Sequence, residues 1–139
     1  MGSEMCIRDR ITSGANCIAQ RATIAALDAP VSKIKYMVDE FSTRRERIIN
    51  LLGAIKGFVL NQPKGAFYVF PDISYYFGKL IKGKTIENAS DFALYLLEEA
   101  HVATVTGEAF GCPNNIRISY AASMNDIEEA VQRIQHALT

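Results

Sequence analysis

The sequence predicts an α+β fold (α/β in the broad sense), a small mixed or antiparallel sheet with helices packed on one side, plus a long connecting helix. Three observations carry this. Apolar residues recur every three or four positions over residues 31–54, the period of one helix face. Four short runs, FVL, AFYVF, VATVT and IRISYA, are apolar and rich in β-branched or aromatic residues, as strands are. The resulting order is two helices, two strands, a helix, two strands and a helix. Such an order does not alternate strictly, so it favours a layered α+β sheet over a parallel one.

Residues 1–10, MGSEMCIRDR, have no cap, period or turn logic leading into the chain from Ile11 onward. MGS resembles an expression leader and MCIRDR resembles translated adapter sequence. These ten residues are set aside as a non-native or artefactual leader, with the native chain expected from about Ile11. TSGAN, residues 12–16, reads as a polar loop into a helix whose face is Ile18, Ala22 and Ala25. Pro30 stops that helix and suits the first turn of the next. The long helix predicted over 31–54 has Val31, Ile34, Val38, Phe41, Ile48, Leu52 and Ile55 on one face. It would span roughly 36 Å, enough to connect two bodies. Gly57 ends it, FVL is a short strand, and NQPKG is a loop. AFYVF is apolar at every position, which predicts a strand buried on both faces. Residues 72–87 read as a surface connection with one helical turn around Tyr75 to Leu80. Asn88 or Ser90 caps a helix to Ala100, with Phe92, Leu96 and Leu97 inward. VATVT and IRISYA are strands separated by the turn-rich GEAFGCPNN. Ser123 caps the last helix with Asp126 in the capping-box position, and Ile127, Val131, Ile134 and Leu138 form its apolar stripe.

The 139 residues fit one domain of ordinary size, and with 49% of them apolar there is enough to bury a core. Fifteen basic and fifteen acidic residues cancel, which argues against a nucleic-acid grip or an anionic membrane surface. No stretch approaches the ~18 apolar residues of a membrane span. Three scattered cysteines form no C-x-x-C pair and no metal-ligand run with His101 or His136. They point to a reducing, cytoplasmic setting. Cys17 and Cys112 have no base motif beside them and read as buried or idle thiols.

Arg117 stands out because it interrupts an apolar strand, between Ile116 and Ile118. A buried guanidinium is costly unless paired. Two structural readings are an ion pair with an acid of the same chain, or a strand end where the stem reaches water. The functional reading is a carboxylate clamp: arginine offers a planar fork for two parallel hydrogen bonds, and a strand holds it rigidly. Gly107, Gly111 and Gly65 read as turn glycines free to take positive φ.

The stretch LLEEAHVATVTGEAFGCPNNIRISYAAS resembles the C-terminal segment of the class I pyridoxal-phosphate aminotransferases, the aspartate-aminotransferase-like branch, in which P-G-x-x-F-G leads to I-R-[LI]-S-[YF]-A. PKGAFYVFPDIS resembles a second segment of that branch, and TSGANCIAQRATIAAL the loop and helix after its lysine segment. The resemblance runs in unbroken order over 11–139. It implies the C-terminal part of a fold type I enzyme: residues 11–30 end a large-domain segment, and 31–139 form the connecting helix and small domain. It implies that Arg117 binds the substrate α-carboxylate. Phe110 matches the motif phenylalanine beside the substrate, with a core aromatic as the alternative. Thr12, Ser13 and Asn16 fall where the family loop approaches the active site, often the neighbouring subunit's, with a polar turn and helix cap as the alternative. Two positions depart from the family pattern: His101 stands where glycine is frequent, where its imidazole would meet the helix-end carbonyls, and Thr106-Gly107 replaces P-G.

The implied activity is transfer of an amino group between an amino acid, aspartate-like or aromatic, and a 2-oxo acid. The implied cofactor is pyridoxal 5'-phosphate, and the implied assembly a homodimer. The Schiff-base lysine of the family sits in S-x-S-K followed by G-x-R, and no lysine here has that setting; Ser32-Lys33 is the nearest imitation. The chain is therefore expected to carry no catalytic lysine, to leave its cofactor-binding residues unassigned and to be inactive alone. Two rivals remain: a non-catalytic amino-acid-binding regulatory module, and a lyase or synthase of the same fold and cofactor.

Overall fold

The computed structural model describes residues 14–139; Thr12, Ser13 and Cys6 lie outside them. The chain divides into two compact units, Met1–Tyr36 and Met37–Thr139.

In the first unit, helix α1 spans Cys17–Leu27. Asn16 caps it: its side chain accepts from the Ala19 N–H at 2.8 Å, and its carbonyl from the Gln20 N–H at 3.0 Å. A short 3-10 turn, Val31–Lys33, follows Pro30. The continuous helix expected over 31–54 is thus interrupted. Ile34 has φ −108° and ψ 0°, outside the helical region, and helix α2 runs only Lys35–Gly53. Apolar spacing hardly distinguishes three residues of 3-10 from α-helix, so the break was invisible to it.

The second unit holds the core. Strand β1 is Tyr68–Val69, β2 Lys79–Ile81, β3 Lys84–Ile86, β4 Val105–Thr106 and β5 Ile116–Ser119; helices α3, Ala89–Ala100, and α4, Met124–Leu138, complete it. β5 lies between β1 and β4, antiparallel to both, and β2 and β3 form a separate hairpin. The α+β class with small antiparallel sheets is as expected. Val69, Ile116 and Ile118 face inward and pack in one cluster with Ile48 and Leu52 of α2, Phe92 and Leu96 of α3, and Ile127, Val131 and Ile134 of α4. Arg47 on α2 pairs with Glu128 on α4 at 2.7 Å, and the buried Tyr95 hydroxyl donates to the Ala137 carbonyl at 2.6 Å.

Several elements differ from the expectation. FVL contributes a single bridge, Val59 to Asp72, instead of a strand. AFYVF forms regular strand only at Tyr68–Val69, and Ala66 ahead of it takes a left-handed φ of 63°. It is buried on one face, through Val69, while Phe67 and Tyr68 are exposed. Gly65 is not the left-handed residue of that turn; Ala66 is. The connection 72–87 contains a 3-10 turn, Ser74–Tyr76, and the β2–β3 hairpin, whose turn residues Lys82 and Gly83 both have positive φ, 46° and 86°. Lys84 ties the hairpin to α3 through Glu98 and Glu99, at 2.6 and 3.0 Å. On α3 the inward set is Phe92, Tyr95, Leu96 and Ala100, whereas Leu97 is 49% exposed. The stripe of α2 is covered only in its C-terminal half: Ile48 and Leu52 are buried, Val38 exposed. Asn88 caps α3, its side chain accepting from the Asp91 N–H at 2.9 Å, and Ser123 caps α4 in the same manner. Cys17 and Cys112 are free thiols and exposed, contrary to burial.

His101 ends α3 in the left-handed region, φ 54° and ψ 37°, and its backbone N–H, not its imidazole, bonds the Leu96 carbonyl. That conformation favours glycine. His101→Gly is expected to stabilise the fold by about 0.5–1 kcal/mol in urea denaturation, the relief of left-handed strain exceeding the added chain entropy.

Tyr76 is buried, its ring stacked on Phe92 at 4.9 Å, and its hydroxyl donates to the Lys56 carbonyl. Burial, then the neighbouring Tyr75, pushes its pKa up to about 12. A phenol whose folded pKa is raised contributes stability that is fully present below its unfolded value near 10 and is lost as pH rises through about 12. Burial also raises Tyr95 and Tyr120. Tyr76→Phe is therefore expected to flatten, without abolishing, the fall in denaturation midpoint between roughly pH 10 and 12.

Candidate functional site

Arg117 sits on the central strand of the three-stranded sheet, opposite Val105 of β4. Side chains alternate along a strand, so Ile116 and Ile118 enter the core while Arg117 and Ser119 face the other way. Tyr68, opposite Ser119 on β1, shares that outer face. The opposition of an apolar strand and a charged residue is resolved by the sheet's two sides.

A tight turn brings Phe110 over the same face. Gly107–Phe110 is a 3-10 turn whose cap residue Thr106 uses its hydroxyl to accept from the Glu108 N–H. It is closed by bonds from the Gly107 N–H to the Asn115 carbonyl at 2.7 Å and from the Cys112 N–H to the Gly107 carbonyl at 3.0 Å. Gly111 ends it at φ 73°, as a turn glycine should. Gly107 is a glycine for another reason than positive φ: a Cβ there would lie 2.3 Å from the Cys112 carbonyl oxygen and 2.5 Å from that of Asn115. Asn115 in turn donates its side-chain amide to the Phe70 carbonyl at 3.0 Å, joining the turn to the segment after β1.

The Arg117 guanidinium carbon lies 4.7 Å from the Phe110 ring centre and 5.2 Å from that of Tyr68. Arg117 is half-buried. Among the described residues its guanidinium has no ion pair and no hydrogen bond, so none of them forms the internal salt bridge of the structural reading. Ring faces attract a cation, but they offer its N–H groups no acceptor oxygen. The fork has no protein acceptor among the described residues, which leaves its N–H groups open to water or to an external anion with two oxygens. Of the remaining predicted site residues, Asn16 serves as the α1 cap, in the first unit. Tyr68 was not singled out from the sequence: its place beside Arg117 follows from strand register, which no local pattern encodes.

Lys84 is bonded to Glu98 and Glu99, Lys82 to the His136 carbonyl, and Lys79 and Lys56 lie over Tyr75. Also among the described residues, no group of His, Cys, Asp and Glu is placed to hold a metal ion, and no helix is long and apolar enough to cross a membrane.

The second unit is thus a helix-backed antiparallel sheet with an aromatic-flanked arginine on its outer face. The family profile "Aminotransferase class I and II" matches residues 7–134, and the chain belongs to that family, whose members in general work with pyridoxal 5'-phosphate. It is 43% identical over 136 residues to the bifunctional aspartate aminotransferase and glutamate/aspartate-prephenate aminotransferase of Petunia hybrida, covering 95% of this chain and 28% of that protein. It is 42% identical over 132 residues to an aspartate aminotransferase of Rhizobium meliloti, covering 94% of this chain and 32% of that one. The crystal structure of the aspartate aminotransferase from Rhizobium meliloti superposes with a TM-score of 0.88 at 40% identity, over 96% of this chain and 34% of the other. The chain thus spans about a third of the length of these relatives.

Proposed function

We propose that this chain is the connecting helix and C-terminal small domain of a larger enzyme that moves an amino group from an amino acid to a 2-oxo acid, with Arg117 binding the substrate α-carboxylate. The observation that carries the reading is a half-buried guanidinium on the central strand, flanked by two rings and without a carboxylate partner among the described residues. The relatives named for aspartate and prephenate favour substrates with an acidic or ring-bearing carboxylate. Phe110 borders the same face and would contact the substrate. Thr12, Ser13 and Asn16 would belong to the active-site loop, the loop of the neighbouring subunit in a homodimer, as the family resemblance implies. Cytoplasmic residence goes with the same reading.

In this arrangement Arg117 would bind the carboxylate of each substrate in turn and fix the orientation of its α-carbon, converting a diffusing reactant into a positioned one. Pyridoxal phosphate and the lysine that holds it would be supplied by parts of the parent outside this chain, which alone should be inactive.

The test is amino-group transfer by the full-length parent, with aspartate or an aromatic amino acid as donor and a 2-oxo acid as acceptor. Formation of the new amino acid, with sharp loss in Arg117→Ala, is expected. Saturable amino-acid binding without any transfer would instead favour a regulatory module, and elimination or ring-closed products would favour a lyase or synthase of the same fold.

A further inference from the structure

Tyr68 and Phe110 reach Arg117 from different elements, β1 and the turn before β5. Each ring is itself braced by a second ring set edge-on: Phe67 against Tyr68 at 5.6 Å and 83°, Phe70 against Phe110 at 6.0 Å and 88°. The Tyr68 hydroxyl makes no hydrogen bond among the described residues, so its ring face is what this residue brings to the site. Tyr68 is 36% exposed and Phe110 48%, more than a core role would leave. An arginine on the outer face of a sheet samples many rotamers unless its neighbours restrict it. Two braced rings restrict those rotamers without occupying the N–H groups that a ligand needs.

We propose that Tyr68 is a positioning residue: together with Phe110 it holds the Arg117 guanidinium in one place and orientation, so that its fork meets the incoming carboxylate already aligned. This rests on the reading of Arg117 as the carboxylate clamp. A bound carboxylate then gains two hydrogen bonds without first ordering the side chain, the advantage of pre-organisation.

The experiment uses the full-length protein with Tyr68→Leu, which keeps bulk and removes the ring, and Tyr68→Phe, which keeps the ring, each with and without Arg117→Ala. Tyr68→Leu should raise KM for the amino-acid substrate about tenfold and change kcat by less than about threefold. Tyr68→Phe should recover most of that loss. In the Arg117→Ala background, Tyr68→Leu should change kinetics by less than about twofold, since the group it positions is gone. In parallel, the Arg117 Nε–H proton resonance, assigned by its disappearance in Arg117→Ala, should show a ring-current shift that Tyr68→Leu reduces and Tyr68→Phe restores. Equal losses from Tyr68→Leu in both backgrounds, an unchanged KM, or a resonance indifferent to the ring would overturn the proposal. Unchanged kinetics in Arg117→Ala would sink the carboxylate reading instead, and the resonance alone would then decide whether Tyr68 positions the guanidinium.

Discussion

Arg117→Ala in the full-length protein is expected to lower kcat/KM for the amino-acid substrate by about a hundredfold. Truncating one partner of a charge-assisted, bidentate pair typically costs about 3 kcal/mol, and ~1.4 kcal/mol is a factor of ten. The same substitution should affect stability little. Where an arginine is held by an internal carboxylate, its removal strands a buried charge; Arg117 has no such partner among the described residues. Its contacts with Tyr68 and Phe110 are lost, worth about 0.5–1 kcal/mol each, less than the cost of a stranded buried charge. A large kinetic loss with only a small fall in denaturation midpoint thus separates a ligand-binding arginine from a structural one. Arg117→Lys should fall between the two, keeping the charge but losing the fork, with a loss of roughly tenfold. Steady-state kinetics and urea titration of the three proteins check all of this. Unchanged kcat/KM in Arg117→Ala would refute the clamp.

What the sequence disclosed depends on the range of the interactions concerned. The cap of α4 was legible because Ser123 and Asp126 lie three residues apart and satisfy each other locally. Arg117 was legible because a cation inside an apolar strand conflicts with burial and demands a reason. Tyr68 was not, because its proximity to Arg117 depends on pairing with Ser119, fifty-one positions away along the chain. AFYVF misled for a related cause: an all-apolar run looks buried on both sides, yet its outward rings border the site rather than fill a core. On α3, Tyr95 and Leu97 are both apolar enough to face inward, and the helix's rotation against the core chose Tyr95. The β2–β3 hairpin turns at Lys82-Gly83, where lysine adopts a left-handed conformation that its type rarely takes, so the glycine was the only visible signal.

Gly107→Ala should be the most damaging single methyl that can be added to this turn, destabilising the fold by about 3 kcal/mol or more. The new carbon would meet the carbonyl oxygens of Cys112 and Asn115 at 2.3 and 2.5 Å. Both are backbone atoms held by the turn's own hydrogen bonds, so they cannot swing away as the tip of a flexible side chain would. Relief requires moving the Gly107–Phe110 turn off the start of β5, which displaces Phe110 from Arg117 and strains the Thr106–Ile116 pairing. Stability and ligand affinity should therefore fall together, the reverse of the Arg117→Ala pattern. Gly111→Ala supplies the contrast. Gly111 has φ 73° but open space around its missing Cβ, so only left-handed strain of about 1–2 kcal/mol applies. Urea denaturation of both variants measures the difference directly. If Gly107→Ala proved no worse than Gly111→Ala, the close backbone approach would not be what this position requires, and the turn would owe its shape to conformational preference alone.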